Sequence, residues 1–266
     1  MESTVREAVL DAGRSLGLPE PVTEAFIRLL RPCVYLCPYN DLPEELKKDA
    51  CPAARAAGLP HLPEDMEAPL HLPHVATIDC AAIPTGVLDI DFPADGHLVI
   101  LAQMQVSDGG GDIIYLPAGT ETVERHPEED EEDEEDEEDE EDGPEEFYEP
   151  FLLYAVPGTT MPGFLSWNDV AEAVDYAEGD AERARLVNEL ISKILVVLRG
   201  RWDQGIQLGG YSCAWHNPAE DRGAVSFASI PLSAVCDEDT YIGLFSGSPE
   251  QIAERRYDEL RFDVEC

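Results

Sequence analysis

A chain of 266 residues with 44% hydrophobic content is long enough to bury a substantial core, as one large or two small domains. Its formal charge of −40 argues against nucleic acid and anionic membrane surfaces as partners, because like charges repel. No run approaches 18 apolar residues, so no membrane-spanning helix is predicted, and the acidic start of the chain is unlike a signal peptide.

Residues 1–50 are predicted to form an N-terminal helical segment. Thr4 and Glu7 have the spacing of a capping box, and Gly17 is a natural helix stop. Between them, apolar residues recur at helical spacing. The predicted elements of this segment are helices over Val5–Leu16 and Pro21–Leu30, a short strand over Val34–Cys37, and a weakly helical stretch over Leu42–Ala57 that Pro52 interrupts.

Residues 51–266 are predicted to form an α+β domain in which one β unit occurs twice. The segment Ala76–Ile83 resembles Ala228–Val235, and two further strand-like runs follow each copy. Those runs are His97–Ala102 and Phe151–Val156 after the first copy, and Thr240–Phe245 and Leu260–Glu265 after the second. We therefore expect two related antiparallel β-sheet units with helices to one side, and Ile78 and Ile230 in equivalent buried positions.

Other patterns complete the predicted elements of this domain. The segment Ser107–Asp112 lies between two apolar runs and predicts a hairpin turn rather than a phosphate or calcium loop, since it lacks a P-loop lysine and EF-hand spacing. The remaining predicted elements are a helical stretch over Asp169–Leu198 that breaks near Gly179–Asp180 and is capped by Ser166, strands over Gly205–Tyr211 and Val225–Ile230, and a short helix over Pro249–Arg256.

The run Glu128–Asp142 consists of five E-E-D triplets and supplies 15 of the 40 net negative charges. Like charges at every position oppose both helix and sheet, so a disordered acidic loop is predicted over residues 127–144. The loop interrupts the first repeat between its second and third predicted strands. A solubilising loop and a recruiter of a basic partner are both compatible with this composition.

Several segments resemble the YwqG-like family, a bacterial domain family of unknown function. The segment Gly58–Glu64 is similar to the family's G-G-x-P-x-L-P opening, and Ile78-Asp79 to the end of the strand that follows it. Leu208–Tyr211 is similar to a Leu-Gly-Tyr-Pro region, and the C-terminal end gives the best match. The C-terminal matching segments are Thr240–Ser246, Gln251–Tyr257 and Asp263–Cys266. The resemblance covers roughly residues 50–266 and implies a two-lobed α+β fold, with no reaction or cofactor to carry over.

This chain departs from the family pattern at positions where side chains could serve a site. Ala57 stands in place of the first Gly, and Ala68-Pro69 in place of a Trp-Pro pair. Thr77 and Ser229 replace the Gln residues that precede the two strand ends, and Pro231 replaces the second Asp. A family site that used those Gln and Asp side chains is therefore in doubt here.

Three histidines, His61, His71 and His74, form the densest group of potential metal ligands, with Cys80 nearby. Imidazole and thiolate ligands suit zinc, although the H-x9-H-x2-H spacing matches neither a zinc-finger nor a metalloprotease signature. The alternative is that they are exposed or hydrogen-bonded loop histidines. A metal-assisted hydrolase that uses these histidines or Asp79 is the competing function.

The seven cysteines have irregular spacing and no secretion signal precedes them, so they are interpreted as reduced thiols of a cytoplasmic protein. Cys33 and Cys37 flank an apolar strand and lack C-x-x-C spacing. Core packing is therefore expected for both, rather than metal binding or a redox pair with Cys51.

Trp202, Tyr211 and Trp215 cluster around the Gly-rich segment Gly205–Gly210 and are the candidate partner-binding residues, with core packing as the alternative. No nucleophile–base motif, phosphate loop or clear metal set is present, so no catalytic residue and no cofactor is predicted. The predicted function is that of a non-catalytic binding protein that neutralises or regulates a basic protein partner. The sequence leaves the oligomeric state open.

Overall fold

The fold is built on one ten-stranded antiparallel β-sheet, with a group of helices on one side and a two-stranded ribbon over part of its surface. The computed structural model describes residues 2–105, 109–126, 149–163, 165–198, 205–214, 216–235 and 241–265. The helices within these ranges are α1 (Glu2–Ser15), α2 (Glu20–Ile27), α3 (Glu44–Lys47), α4 (Ala171–Ala177), α5 (Ala181–Leu198) and α6 (Pro249–Ala253). The strands are β1 (Arg31–Pro38), β2 (Pro52–Ala56), β3 (His61–Leu62), β4 (His74–Asp79), β5 (His97–Ala102), β6 (Gly111–Leu116), β7 (Val123–Glu124), β8 (Phe151–Thr160), β9 (Ile206–Leu208), β10 (Val225–Pro231), β11 (Ile242–Gly247) and β12 (Arg261–Glu265).

The strand order is β12-β11-β10-β9-β1-β8-β2-β4-β5-β6, and β3 pairs with β7 in the separate ribbon. The expected antiparallel, mixed α/β class is confirmed. All ten strands form one sheet, however, so the predicted division into two separate sheet units is not seen. Strand β1, which comes from the predicted N-terminal helical segment, lies at the centre of the sheet between β8 and β9.

Two sequence predictions about strands were wrong. The run Phe151–Val156 was expected to follow β5 as a third strand, but it belongs to β8, which pairs with β1 and β2 instead. The neighbour of β5 is β6, and residues 127–144 therefore follow the third strand rather than precede it. The second error concerns Pro52–Ala56, whose alanines favour a helix but which pairs as β2 with β4 and β8. Pairing on both sides outweighs intrinsic helix propensity there.

The sheet curls until its two edge strands approach each other. Gly111 of β6 lies against Phe262 of β12, so closely that a Cβ atom on Gly111 would stand 2.6 Å from the Phe262 ring. Gly243 of β11 lies equally close to Met104, because a Cβ atom added to Gly243 would stand 2.7 Å from the Met104 Sδ. The main hydrophobic core fills the interior of this curl, and Ile78 and Ile230 are both completely buried in it, as expected.

Four helices, α1, α2, α4 and α5, share a second core beside the central strands β1 and β8. The predicted break near Gly179 is confirmed, because α4 ends at Ala177 and α5 begins at Ala181. Ser166 and Asp169 form the predicted capping box, although it caps a 3-10 helix over Trp167–Asp169. Among the described helices, none has the length and apolar character needed to cross a membrane.

The hairpin between β5 and β6 is confirmed by their antiparallel pairing, which runs from His97 opposite Leu116 to Ala102 opposite Gly111. Residues 106–108 of its turn, and the predicted acidic loop over residues 127–144, lie outside the described residues.

Candidate functional site

A cleft opens between the outer face of the sheet and a covering layer made of residues 58–73 and 117–126, which is called the cover below. The cover contains the β3–β7 ribbon. Leu62 of the cover packs against Val99 of β5 and Leu116 of β6 and is fully buried there. Arg125 joins the two parts of the cover by donating hydrogen bonds of 2.9 Å to the carbonyl oxygens of Pro63 and Glu64. The cover is thus held over β5 and β6, and the cleft lies beside it.

The cleft has a volume of about 450 Å³, within the range of small-molecule sites. Its lining includes the side chains of Arg55, His61, Thr77, Asp79, His97 and Leu152. Alternation along the strands turns Ala54 and Ile78 into the core and their neighbours Arg55 and Thr77 outward. Arg55 of β2 stands directly opposite Thr77 of β4.

Arg55 brings a positive charge into the cleft. It is half-buried, and within the described part of the chain its side chain makes one hydrogen bond, from a guanidinium nitrogen to the carbonyl oxygen of Leu59. No carboxylate of the described residues lies within ion-pairing distance of it, whereas Arg31 has Asp89 at 3.9 Å. A guanidinium has five N–H donors, so Arg55 keeps donors for a further acceptor.

Thr77 is held as a hydrogen-bond acceptor by the buried side chain of His74. The Nδ1 atom of His74 lies 3.1 Å from the carbonyl oxygens of both Ala57 and Gly58, which can only accept, so Nδ1 carries the proton. Burial lowers the pKa of His74 to about 4, and the ring is therefore neutral at pH 7. Its Nε2 atom then accepts from the hydroxyl of Thr77 at 2.9 Å. With that proton committed, the Thr77 oxygen offers only lone pairs to a further group.

The turn after β2 has a rare backbone conformation. Ala57 has a φ of +58° and Gly58 a φ of +65°, and a left-handed conformation costs an alanine about 1 kcal/mol. The Ala57 N–H donates to the carbonyl of Val75 at 3.1 Å, and its own carbonyl accepts from His74. These bonds hold the turn in place, so that the Leu59 carbonyl reaches Arg55.

The other half of the sheet places similar groups at matching positions. Gln207 of β9 stands opposite Ser229 of β10, as Arg55 stands opposite Thr77. Gly209 and Gly210 follow β9 with φ of +66° and +74°, and the Gly209 N–H donates to the carbonyl of Phe227 at 3.0 Å. The pairing register shifts three residues before Thr77 in β4 and three residues before Ser229 in β10. A 3-10 helix follows each of these two strands.

In this second half, the chain's own backbone occupies the outer face. The amide nitrogen of Gln207 donates to the carbonyl oxygens of Gly209 and Tyr211 at 2.9 and 2.7 Å. The N–H of Cys213 donates to the hydroxyl oxygen of Ser229 at 3.3 Å, and its thiol donates to Gln207. Gln207 and Ser229 therefore bind a peptide strand that lies across them.

The histidines of the predicted metal set have different surroundings. His61 lines the cleft with its Nε2 3.8 Å from Glu124, His71 is exposed in another depression beside Arg125, and both nitrogens of His74 are engaged by protein groups. Asp79 lines the cleft and accepts from the N–H of Ala81. No group of three His, Cys, Asp or Glu side chains in the described ranges could hold a metal ion.

Of the predicted aromatic surface, only Tyr211 falls among the described residues; Trp202 and Trp215 lie outside them. Tyr211 is half-buried, and the Arg31 guanidinium lies 4.2 Å from the centre of its ring. Burial raises the pKa of its hydroxyl. Its backbone N–H donates to Thr160 at 2.9 Å. Tyr211 thus fixes the Gly209–Gly210 turn, and a partner-binding role for the three aromatic residues stays a prediction.

The predicted packing role of Cys33 and Cys37 is confirmed. Both are buried with Tyr35 and Val156, and burial raises the pKa of each thiol to about 12. Both thiols are therefore protonated at pH 7. Cys51 is exposed.

Sequence reasoning missed Arg55 and His97 as site residues. A signal for Arg55 was present, because it is a lone cation within the stretch Cys51–Gly58, where half of the residues are alanine. No protein-family model matches the chain, and no curated protein matches it significantly.

Proposed function

We propose that this chain is a non-catalytic binding protein and that a basic protein partner docks at the cleft. The observation that carries the proposal is the position of the acidic run Glu128–Asp142 in the sequence. It lies between Thr122 and Leu152, which both line the cleft. Glu128 is six positions after Thr122, and Leu152 is ten positions after Asp142. At roughly 3.5 Å per residue, the ends of the run are tethered within about 20 and 35 Å of the cleft.

Chain connectivity thus keeps the ends of a strongly negative run within reach of the docking groups. The acidic run supplies 15 of the 40 net negative charges. Charge of this size steers an oppositely charged partner at long range, and salt screens it over about 8 Å at physiological ionic strength. A basic partner is therefore drawn toward the rim of the cleft first and contacts the cleft afterwards.

The rim also offers apolar contact area. Leu152 is 48% exposed and Val123, on the cover, is 44% exposed. Exposed apolar side chains beside a polar cleft are typical of interaction sites, because their burial stabilises the complex after encounter. In this proposal the acidic run attracts the partner, and the exposed apolar side chains at the rim hold it after encounter.

Binding kinetics test the proposal. The protein is used as bait in lysate of its source cells, a captured basic protein is purified, and its association is measured at about 50, 150 and 500 mM salt. The matched variant replaces Glu128–Asp142 by fifteen Gly and Ser residues, which keeps the chain length. We expect a lower on-rate and an unchanged off-rate for the variant, since long-range charge acts mainly on encounter. An acidic partner, or an affinity indifferent to salt, contradicts the proposal.

Metal analysis separates this function from a metal-assisted hydrolase. For the purified, folded protein we expect zinc and iron far below one ion per chain. Stoichiometric metal that is retained after dialysis, and lost on substitution of His61 or Asp79 by alanine, contradicts a non-catalytic role.

We also propose that the two halves of the sheet descend from one duplicated unit and that the chain is a divergent YwqG-like protein. The strand order reads alike from both edges, β6-β5-β4-β2-β8 and β12-β11-β10-β9-β1, which supports duplication. The positive φ of Ala57 supports the family resemblance, because the family has Gly there. An alignment of homologous chains tests both points: Gly at position 57 and Gln at positions 77 and 229 are expected, and their absence in all homologues contradicts the assignment.

A further inference from the structure

We propose that the cleft binds the C-terminal end of a peptide chain, with the terminal carboxylate on Arg55, a backbone N–H on Thr77 and a basic side chain beside Asp79. The inference rests on the proposed function and specifies which part of the basic partner docks. It follows from comparing the cleft with the matching position in the other half of the sheet.

The second half of the sheet provides a template for peptide binding. There, the Gln207 side chain donates to the backbone carbonyl of Tyr211 at 2.7 Å, and Ser229 accepts the backbone N–H of Cys213 at 3.3 Å. A cross-strand pair on the outer face is thus able to bind a peptide backbone through one donor and one acceptor. Arg55 and Thr77 are the cross-strand pair at the same register position in the first half.

The two halves of the sheet present the same kind of hydrogen-bond acceptor. Ser229 lies 3.4 Å from the Ser226 hydroxyl and accepts a backbone N–H. In the cleft, His74 takes the hydroxyl proton of Thr77, and the Thr77 oxygen is left to accept. Both halves therefore present a hydroxyl oxygen, supported by a side chain three residues earlier, to an N–H donor. The cleft is matched to a peptide N–H and not to a second hydrogen-bond acceptor.

The two halves of the sheet differ in the charge of the donor. Where the second half has the neutral amide of Gln207 for a neutral carbonyl, the cleft has the Arg55 guanidinium. Its planar set of donors suits a carboxylate, with charge-assisted bonds about twice as strong as neutral ones. In an extended peptide the backbone group that carries a full negative charge is the C-terminal carboxylate. A side-chain carboxylate is disfavoured because the proposed partner is basic, whereas every unmodified chain ends in a carboxylate.

Asp79 supplies a carboxylate next to the place proposed for the peptide end. Asp79 of β4 occupies the position that Pro231 has in β10, two residues after Thr77 and Ser229 respectively. Its carboxylate accepts one backbone bond, from Ala81 at 3.0 Å, and it lines the cleft. A lysine or arginine side chain of the bound peptide is therefore expected there. Leu152 supplies apolar contact on the other side of Arg55, which it faces across β2 and β8.

Calorimetry with defined peptides tests the inference on the complete protein. The probe is the acetylated tetrapeptide Ala-Ala-Lys-Ala with a free C-terminal carboxylate, and its matched control is the same peptide with a C-terminal amide. We expect the free acid to bind at least tenfold more tightly than the amide, which corresponds to about 1.4 kcal/mol. A second control replaces the lysine by norleucine and is expected to weaken binding at least threefold. This comparison uses the unaltered protein, so it does not depend on whether variants fold.

Variants then assign the discrimination to residues. Arg55→Met is expected to reduce the acid-to-amide ratio to below about two, because the guanidinium is the group that distinguishes the two peptide ends. Thr77→Val is expected to weaken both peptides by the same factor, whereas Thr77→Ser retains binding. Arg185→Met removes the same charge from the exposed side of α5 and is expected to change nothing.

Each outcome decides the point. Equal binding of acid and amide, no binding of either peptide up to millimolar concentration, or an unchanged acid-to-amide ratio in Arg55→Met overturns the inference. None of these results affects the salt-dependent association with a basic protein, which tests the proposed function separately. Conversely, peptide binding without any basic protein partner would contradict the proposed function and leave the carboxylate site standing.

Discussion

Protonation of His74 is expected to destabilise the protein between pH 6.5 and pH 4. Burial lowers the pKa of the folded-state imidazole from 6.5 to about 4, and His74 as a whole residue is 8% exposed. The unfolded state therefore binds more protons than the folded state across this window, and stability rises with pH. The loss relative to neutral pH is about 1 kcal/mol at pH 5.5 and about 3 kcal/mol near pH 4.

A variant isolates this effect from the rest of the titration. In a chain with 57 acidic residues, acidification also relieves carboxylate repulsion, which changes stability in the opposite direction. His74→Gln keeps a donor for the Ala57 carbonyl and an acceptor for Thr77 but does not titrate. Subtracting its stability from that of the wild type at each pH cancels the contributions that the two proteins share.

Urea unfolding followed by circular dichroism at pH 7.5, 6.5, 5.5 and 4.5 measures the difference. We expect the wild type to lose stability relative to His74→Gln as the pH falls, by the amounts given above. His71→Gln, at an exposed position, is the control and is expected to follow the wild type. A constant difference between His74→Gln and wild type over the whole range would refute the assignment of a buried, neutral His74.

Three further predictions concern the fold and the acidic run. Gly210→Ala is expected to lower the free energy of unfolding by about 2–4 kcal/mol, because φ is +74° and an added Cβ would lie 2.5 Å from the Thr160 hydroxyl. Its control, Gly17→Ala, has a φ of +69° and no atom within 4 Å of an added Cβ, so it is expected to cost only about 1 kcal/mol in the same urea assay. Ile78→Ala and Ile230→Ala are each expected to cost about 2–5 kcal/mol, since both side chains are fully buried, and a loss below about 1 kcal/mol for either one contradicts its place in the core. Deletion of Glu128–Asp142 is expected to leave the thermal midpoint unchanged or slightly higher, because the run has no apolar side chain to bury; a drop of more than about 5 °C contradicts this.

The sequence predicted correctly those features that depend only on residues close together in the chain. The helix stop at Gly17, the break near Gly179 and the hairpin between β5 and β6 depend on neighbouring residues and were confirmed. The partner of a strand depends on distant segments, and periodicity carries little information about it. For this reason Phe151–Val156 was assigned to the wrong place and Pro52–Ala56 was taken for a helix.

The candidate site was predicted only in part, for a related reason. His61 and Asp79 were named from composition, and the structure places both in the cleft. Arg55 owes its role to its register opposite Thr77 and to the turn that brings the Leu59 carbonyl to it. His74 was counted as a possible ligand, but the two carbonyls that occupy its Nδ1 come from a turn sixteen and seventeen residues earlier. The spacing of residues in the sequence predicts neither the Arg55 contact nor the His74 contacts.

Site-specific photo-crosslinking tests the central claim, docking of a basic protein at the cleft, most directly. A benzophenone amino acid is placed at position 152, which lines the cleft and is 48% exposed, and in a matched protein at position 174, which is 36% exposed on α4. Irradiation in source-cell lysate is followed by mass spectrometry of the crosslinked product. We expect a basic protein to be crosslinked from position 152 and not from position 174, through its C-terminal peptide, and the product to disappear at about 500 mM salt. Equal crosslinking from both positions, or an acidic protein captured at position 152, would contradict the account.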